Sequence, residues 1–209
     1  TKPWKPIVAG TVSRSVAVTL AVASATAALS IAATLGALSG TLAAAGMSCG
    51  LAYDVRLKRT VFSALPFVVA IPLLPIWVWT SLGEWTPVLW WLLPLGGLIG
   101  LSLHLANTLP DLQDDAAQGI RGLAHRLGAP RSALLARWSF ALALAISGFL
   151  SAFIEYDLAA YLPALLVAIV CLVISARAAA GSEDRSRFGF GVLGVGAATA
   201  AVGWLAAVR

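Results

Sequence analysis

Apolar runs of about 20 residues recur along the whole of this 209-residue chain, and each is long enough to cross the hydrocarbon core of a bilayer as an α-helix. Between charged or turn-rich breaks they fall at 16–36, 37–53, 61–80, 86–107, 132–153, 158–180 and 187–208. With 60% hydrophobic and 11% charged residues, and a mean hydropathy of +0.90, the composition lies outside the soluble range. Segments of about ten residues that alternate apolar and polar, the mark of a membrane barrel, are absent. The pattern therefore predicts an all-α fold, a polytopic transmembrane helical bundle with seven spans, organised as one membrane domain over residues 1–209.

The charges test that count, because alternating topology concentrates Lys and Arg in every second loop. Lys2, Lys5 and Arg14 precede the first span, and Arg56, Lys58 and Arg59 follow the second. Arg121, Arg126, Arg131 and Arg137 surround the fourth-to-fifth connection, and Arg177, Arg185 and Arg187 the sixth-to-seventh. All thirteen fall on one predicted side, while the opposite loops carry Glu84, Glu155 and Asp157. This side is expected to face the cytoplasm. The net charge of +5 is accounted for by orientation and calls for no nucleic acid. Eleven Arg against three Lys, with abundant Ala, fit a GC-rich bacterial genome and placement in the cytoplasmic membrane.

Spans one and two are rich in Ala, Gly, Ser and Thr, which allow close backbone approach where lipid supplies no hydrophobic drive for helix association. Gly46 with Gly50 and Gly96 with Gly100 are spaced for such contacts. Pro66, Pro72 and Pro75 should bend span three, and the carbonyls they free would line a cavity. Trp77, Trp79, Trp85, Trp90 and Trp91 bracket the loop around Glu84. They fit an interfacial aromatic belt, or some turn inward and stabilise a cation by their π faces. Cys49 and Cys171 read as small buried hydrophobes.

Against this background, Asp111, Asp114 and Asp115 crowd three of the chain's nine acidic residues into the stretch H-L-A-N-T-L-P-D-L-Q-D-D-A-A-Q-G-I-R, His104 to Arg121. Carboxylates are costly near hydrocarbon, so such a concentration asks for a cation or a polar substrate. At 100° per residue, His104, Asn107, Asp111, Asp114, Asp115 and Gln118 would share a helix face roughly 100° wide. Neighbouring carboxylates repel unless neutralised, and hard oxygen donors suit Mg²⁺, which takes one or two carboxylates together with substrate phosphates. The plainer reading is a solvated loop with Asp residues capping a short helix, helped by Pro110 and ended by Gly119. His104 is either a packing residue or a polar group of a substrate pocket, and His125 an interfacial loop residue.

A second polar element, Y-D-V-R-L-K-R-T at residues 53–60, leaves span two on the same side. Its phenol and cations suit an anionic phosphate, although juxtamembrane Lys and Arg also serve as topology anchors alone. Paired with the acidic face, the two elements would hold a diphosphate through metal and cations together.

These residues resemble the UbiA superfamily of intramembrane prenyltransferases. That family has nine transmembrane helices around a central cavity, two Asp-rich motifs of the N-x-x-x-D-x-x-x-D type, and a Tyr/Lys motif at the end of the fourth helix. Here N-T-L-P-D-L-Q-D-D, Asn107 to Asp115, resembles the second Asp-rich motif, and G-I-R-G-L-A-H-R-L-G, Gly119 to Gly128, the segment that trails it. Tyr53 with Lys58 resembles the Tyr/Lys motif, one residue longer than the commonest spacing. K-P-W-K-P-I-V-A-G-T-V-S at the start resembles the segment after the first Asp-rich motif. That first motif and the two helices ahead of it are absent from this sequence, which is expected to be a piece of a longer chain.

The resemblance implies a Mg²⁺-dependent transfer of a prenyl group from an isoprenyl diphosphate to a lipophilic, aromatic acceptor within the membrane lipid. It implies Asp111 and Asp115 as Mg²⁺ ligands with Asp114 assisting, and Tyr53, Lys58, Arg59, Asn107 and Lys5 as contacts to the diphosphate. It assigns no base for the acceptor. The competing expectation is a transporter or non-catalytic membrane protein that binds a cation or polar solute at the Asp face. Such a protein would place charges near the bilayer midplane and show repeated, interrupted helices.

Overall fold

The computed structural model of the chain describes residues 6–178 and 183–208. Among these residues there is no strand, only one isolated antiparallel bridge between Tyr156 and Val208. Seven long helices carry the fold: α1 (Arg14–Thr34), α2 (Ala37–Val55), α3 (Leu65–Leu82), α4 (Leu92–Thr108), α7 (Ala129–Leu150), α8 (Leu158–Ala178) and α9 (Glu183–Ala207). Two short ones, α5 (Leu112–Ala117) and α6 (Leu123–Leu127), lie between α4 and α7. Every predicted span coincides with a long helix, the fourth beginning in the 3₁₀ segment Pro87–Trp91 that leads into α4.

Six helical stretches are long and apolar enough to cross a membrane: Arg14–Thr34, Val61–Leu82, Pro87–Thr108, Ala129–Leu150, Leu158–Ala178 and Glu183–Ala207. The protein is a multi-pass membrane protein. The exception among the seven is α2, whose glycines, serines, Thr41 and Asp54 dilute its Ala and Leu content. It forms a helix beside α1 and α3, yet falls outside the set that qualifies by composition.

Helix boundaries follow local chemistry. Ser13 starts α1, its Oγ accepting the Val16 N–H at 3.3 Å, which satisfies one of the orphan donors of a first turn. Gly36, at φ 124°, supports the abrupt reversal between α1 and α2, a conformation that side chains with a Cβ avoid. Pro66 occupies the first turn of α3, where no helical N–H is needed. Pro72 and Pro75 lie inside α3, which runs on through both as one element.

The packing centre is α4, which lies against α3, α7 and α9. A Cβ at Gly96 would sit 2.7 Å from Pro72 Cβ, and one at Gly100 would meet the Phe67 carbonyl. These glycines are thus the close-contact points that their spacing predicts. Gly46 and Gly50 differ, since nothing lies within 4 Å of a Cβ at either position. At the other seam of the bundle, α8 and α9 pack through Gly189, Gly196 and Gly203 against Ala178, Cys171 and Ala164. Cys171 is buried in that seam, as expected of a small hydrophobe.

Between α3, α4, α7 and α9 lies an apolar chamber of about 450 Å³. Its walls include Pro75, Trp79, Ile99, Leu103, Leu144 and Trp204. Its end is tied by a hydroxyl network: Tyr161 Oη and Ser147 Oγ lie 2.9 Å apart, and Tyr156 Oη donates to the Ser147 carbonyl at 2.9 Å. Trp204 Nε1 donates to Tyr156 Oη. Burial pushes the Tyr156 hydroxyl up to about 12, so it stays a protonated donor at any ordinary pH. Of the five clustered tryptophans, Trp90 and Trp91 are exposed and Trp85 packs edge-on against Trp90 with ring centroids 5.2 Å apart. Their exposure is compatible with a belt, whereas Trp79 lines the chamber.

The α3–α4 contact yields a direct test. Gly100→Leu should destabilise the protein by about 1–3 kcal/mol through overpacking, seen as a lower melting temperature in detergent. Gly46→Ala, with open space around it, should stay within about 0.5 kcal/mol of the parent.

Candidate active site

The acidic stretch does not continue α4 as one helix face. Pro110 has no N–H to give to the Ala106 carbonyl, so the α-helical ladder stops there. The chain makes a tight turn in which the Asp111 N–H reaches the Thr108 carbonyl at 3.3 Å. It then restarts as α5, which closes at Gly119 with φ 72°. The short helix of the plainer sequence reading is therefore present, with Asp111 at its N-cap position but no side-chain capping bond. Its carboxylates nevertheless remain grouped, lining one cavity with the last turn of α4.

Asn107 and Thr108 from α4, Asp111 from the turn, and Asp114, Asp115 and Gln118 from α5 line one cavity of about 390 Å³. Across it stand Tyr53 and Asp54 at the end of α2 and Lys58 in the 3₁₀ turn Leu57–Arg59. Six residues assigned in the sequence to metal or diphosphate, Tyr53, Lys58, Asn107, Asp111, Asp114 and Asp115, thus share a single space. Arg59 is exposed and does not line it, and Lys5 and Lys2 lie outside the described residues.

A buried relay fixes the α2 end against α4. His104 Nε2 lies 3.0 Å from Ser63 Oγ, and the same Oγ accepts the Leu123 N–H at 2.9 Å. One serine therefore joins the entry to α3, the body of α4 and the start of α6. Phe67 packs on the His104 ring at 4.8 Å between centroids, and Tyr53 meets Phe67 edge-on at 5.2 Å and 84°. His104 is fully buried within this cluster and absent from the cavity lining. Between its two readings, geometry favours the packing role. His125 is held by a 3.1 Å contact from Nε2 to the Leu112 carbonyl, joining α6 to α5.

The ion pairs were less legible. Lys58 Nζ sits 3.4 Å from Asp54. Arg187, from the first turns of α9, reaches Asp111 at 2.8 Å and Glu183 at 2.7 Å. The Arg187–Asp111 contact spans 76 positions. In the sequence the only trace of it is that both residues belong to the same predicted side. Ser63, a small residue at the edge of a span, carried no signal at all.

The donor set can be weighed against Mg²⁺. Apart from Lys58 and Arg187, the polar side chains around the carboxylates are hydroxyl and amide groups, whose oxygens suit a hard cation. Among the described residues, no three His, Cys, Asp or Glu side chains converge closely enough to hold a metal ion. The cavity thus fits an ion taken by one or two carboxylates with phosphate oxygens and water completing its shell, the usual pattern for Mg²⁺. It does not fit a closed, all-protein cage.

The class of protein is now defined: a helical multi-pass membrane protein with an acid-rich cavity at one end of the bundle and an apolar chamber beside it. A model of the UbiA prenyltransferase family matches residues 1–191, and the chain belongs to that family. No curated protein and no solved structure gives a significant match. Membership supports a membrane-embedded prenyltransferase at the level of reaction class.

The Ser63 relay gives the second prediction. Ser63→Ala leaves the Leu123 N–H and the His104 ring without their shared partner, at a cost of about 1–3 kcal/mol. Thermal unfolding in detergent should show the drop, and Ser63→Thr, which keeps the hydroxyl, should recover part of it.

Proposed function

We propose that the protein transfers a prenyl group from an isoprenyl diphosphate to a lipophilic acceptor, with the diphosphate in the Asp-rich cavity and the hydrocarbon in the adjoining chamber. The observation that carries this reading is the convergence of Tyr53, Lys58, Asn107, Asp111, Asp114 and Asp115 on one cavity at the head of a chamber with apolar walls. The two spaces are related through α4. Ile99 and Leu103 line the chamber and Asn107 the polar cavity, at successive four-residue steps on one helix face. Leu103 to Asn107 is about 6 Å of axial rise, so an amphipathic substrate would cross from one to the other without leaving α4.

In this reading Asp111 and Asp115, with Asp114 assisting, would hold Mg²⁺, which when bound offsets charge on the departing diphosphate. Asn107 contributes a neutral oxygen beside them. Lys58 exchanges Asp54 for phosphate oxygens, and the Tyr53 hydroxyl donates a hydrogen bond to the same group. Both act where negative charge grows as the carbon–oxygen bond breaks and the electron pair leaves with the diphosphate. The chamber walls exclude water, so the allylic cation is kept for the acceptor. The acceptor's electron pair then forms the new carbon–carbon bond, and the acceptor loses a proton. Arg59 and Lys5, the latter outside the described residues, are proposed as further contacts to the diphosphate. The single domain spanning 1–209, the cytoplasmic membrane and a cytoplasm-facing Asp cavity complete the proposal, on the strength of the one-sided Lys and Arg distribution.

The test uses the full-length protein in membranes with a series of prenyl diphosphates. Diphosphate release should depend on Mg²⁺ and fall by about 10²–10³-fold in Asp111→Ala, the scale seen when one preorganised electrostatic contact is removed. Release that survives this change would refute the assignment. Leu103→Trp, which fills the mouth of the chamber without touching a carboxylate, should reduce transfer while leaving diphosphate binding intact.

A further inference from the structure

A second polar cavity, of about 480 Å³, opens on the other side of α5 and is lined by Ala116, Arg121, His125 and Arg126. It contains no carboxylate. The acids of this region, Asp111, Asp114 and Asp115, belong to the neighbouring cavity, so α5 divides an acidic space from a basic one. The contrast extends to pairing. Lys58 and Arg187 at the same end of the bundle make ion pairs with Asp54, Asp111 and Glu183. Among the described residues, neither Arg121 nor Arg126 pairs with a carboxylate.

The backbone carrying the three basic side chains is held from several directions. The Leu123 N–H donates to Ser63 Oγ at 2.9 Å, and the Ser132 hydroxyl donates to the Ala124 carbonyl at 3.2 Å. A Cβ at Gly122 would lie 2.8 Å from both the Lys58 carbonyl and Ser63 Oγ, so only glycine permits this docking. His125 is oriented by its contact to Leu112. The Arg121 and Arg126 guanidiniums therefore share one cavity on a fixed backbone frame, which lowers the ordering cost of binding an anion.

We propose that Arg121 and Arg126, with the His125 ring as part of the wall, form a phosphate-binding site, distinct from the Asp-rich cavity, that takes either the phosphate of an anionic lipid headgroup or a free phosphate ion. Two guanidiniums offer planar, fork-shaped donor sets matched to phosphate oxygens. Basic pockets at the ends of membrane helices suit lipid head groups for the same reason. The position fits both sources, because α6 lies between the membrane-spanning α4 and α7 while Arg121 and Arg126 remain exposed.

The experiment uses the full chain in phosphatidylcholine nanodiscs, with two probes. Phosphatidic acid is added to the bilayer, and its retention after detergent extraction is counted by native mass spectrometry. Inorganic phosphate is titrated separately into pure phosphatidylcholine nanodiscs and followed by ³¹P NMR line broadening. Arg121→Gln with Arg126→Gln should weaken the bound phosphate by about tenfold or more, since two charge-assisted bonds are lost. Arg56→Gln, at the same end but away from the cavity, should change it less than about twofold. Arg121→Lys with Arg126→Lys should bind more tightly than the double Gln variant. Response to the lipid probe alone assigns a headgroup site, and response to the ion alone assigns a free-phosphate site. The proposal is overturned if neither probe binds saturably, if the double Gln variant with an unchanged melting temperature binds like the parent, or if Arg56→Gln weakens binding equally. None of these readouts depends on prenyl transfer.

Discussion

The contact on which the rest of the molecule depends is the one between α3 and α4 at Gly96 and Gly100. In a bilayer the apolar surfaces of two helices gain little by leaving lipid, so close packing of small residues must hold them. Here α4 presents glycines to Pro72 and to the Phe67 backbone with no room for a Cβ. That approach brings Phe67 within 4.8 Å of the His104 ring, and through Phe67 it positions Tyr53 at the end of α2. A single backbone contact thereby determines how far the phenol of one polar element stands from the carboxylates of the other.

Much of this was legible because the relevant physics is one-dimensional. Span length follows bilayer thickness, and the alternation of Lys and Arg between loops follows topology, so seven helices and their common basic end could be read along the chain. The departures arise where neighbours in space decide. α2 reads as a span by its boundaries, yet its Ser, Thr and Gly content makes it a helix that relies on α1 and α3. Gly46 and Gly50 have the spacing of contact residues and touch nothing, since spacing says which residues share a face but not what the face meets. Pro110 was visible, but the placement of α5 that leaves Asp114 and Asp115 in one cavity with Asn107 has tertiary support, notably His125 on the Leu112 carbonyl.

The acidic cavity illustrates how a charged site is kept stable at a membrane boundary. Clustered carboxylates disfavour one another's ionisation unless cations stand close, and cations arrive from two distant segments. Arg187 comes from α9 and Lys58 from the turn after α2. The Arg187–Asp111 contact is half exposed, so its net contribution to stability is small. Its consequence is positional, because it ties the start of α9 to the corner between α4 and α5. α9 also walls the chamber through Ala197, Val202 and Trp204. Any event that draws Asp111 away from Arg187 thus acts on a helix that faces the hydrocarbon.

That linkage bears on how one helical bundle can hold a substrate of two unlike halves. A diphosphate needs dense charge and access to water, while an isoprenoid chain needs the opposite, and the two are joined by one bond. α4 resolves the conflict by length: its middle turns, at Ile99 and Leu103, lie in the chamber, and its last turn, at Asn107, reaches the carboxylates. The reacting bond would sit at the transition between these turns, where the dielectric falls steeply and each preorganised charge acts more strongly than it would in water. The same gradient explains why the three clustered carboxylates lie at an end of the bundle. Placed a turn or two deeper, the carboxylates would lose access to water and to the cations beside them, and the chamber would lose its apolar walls.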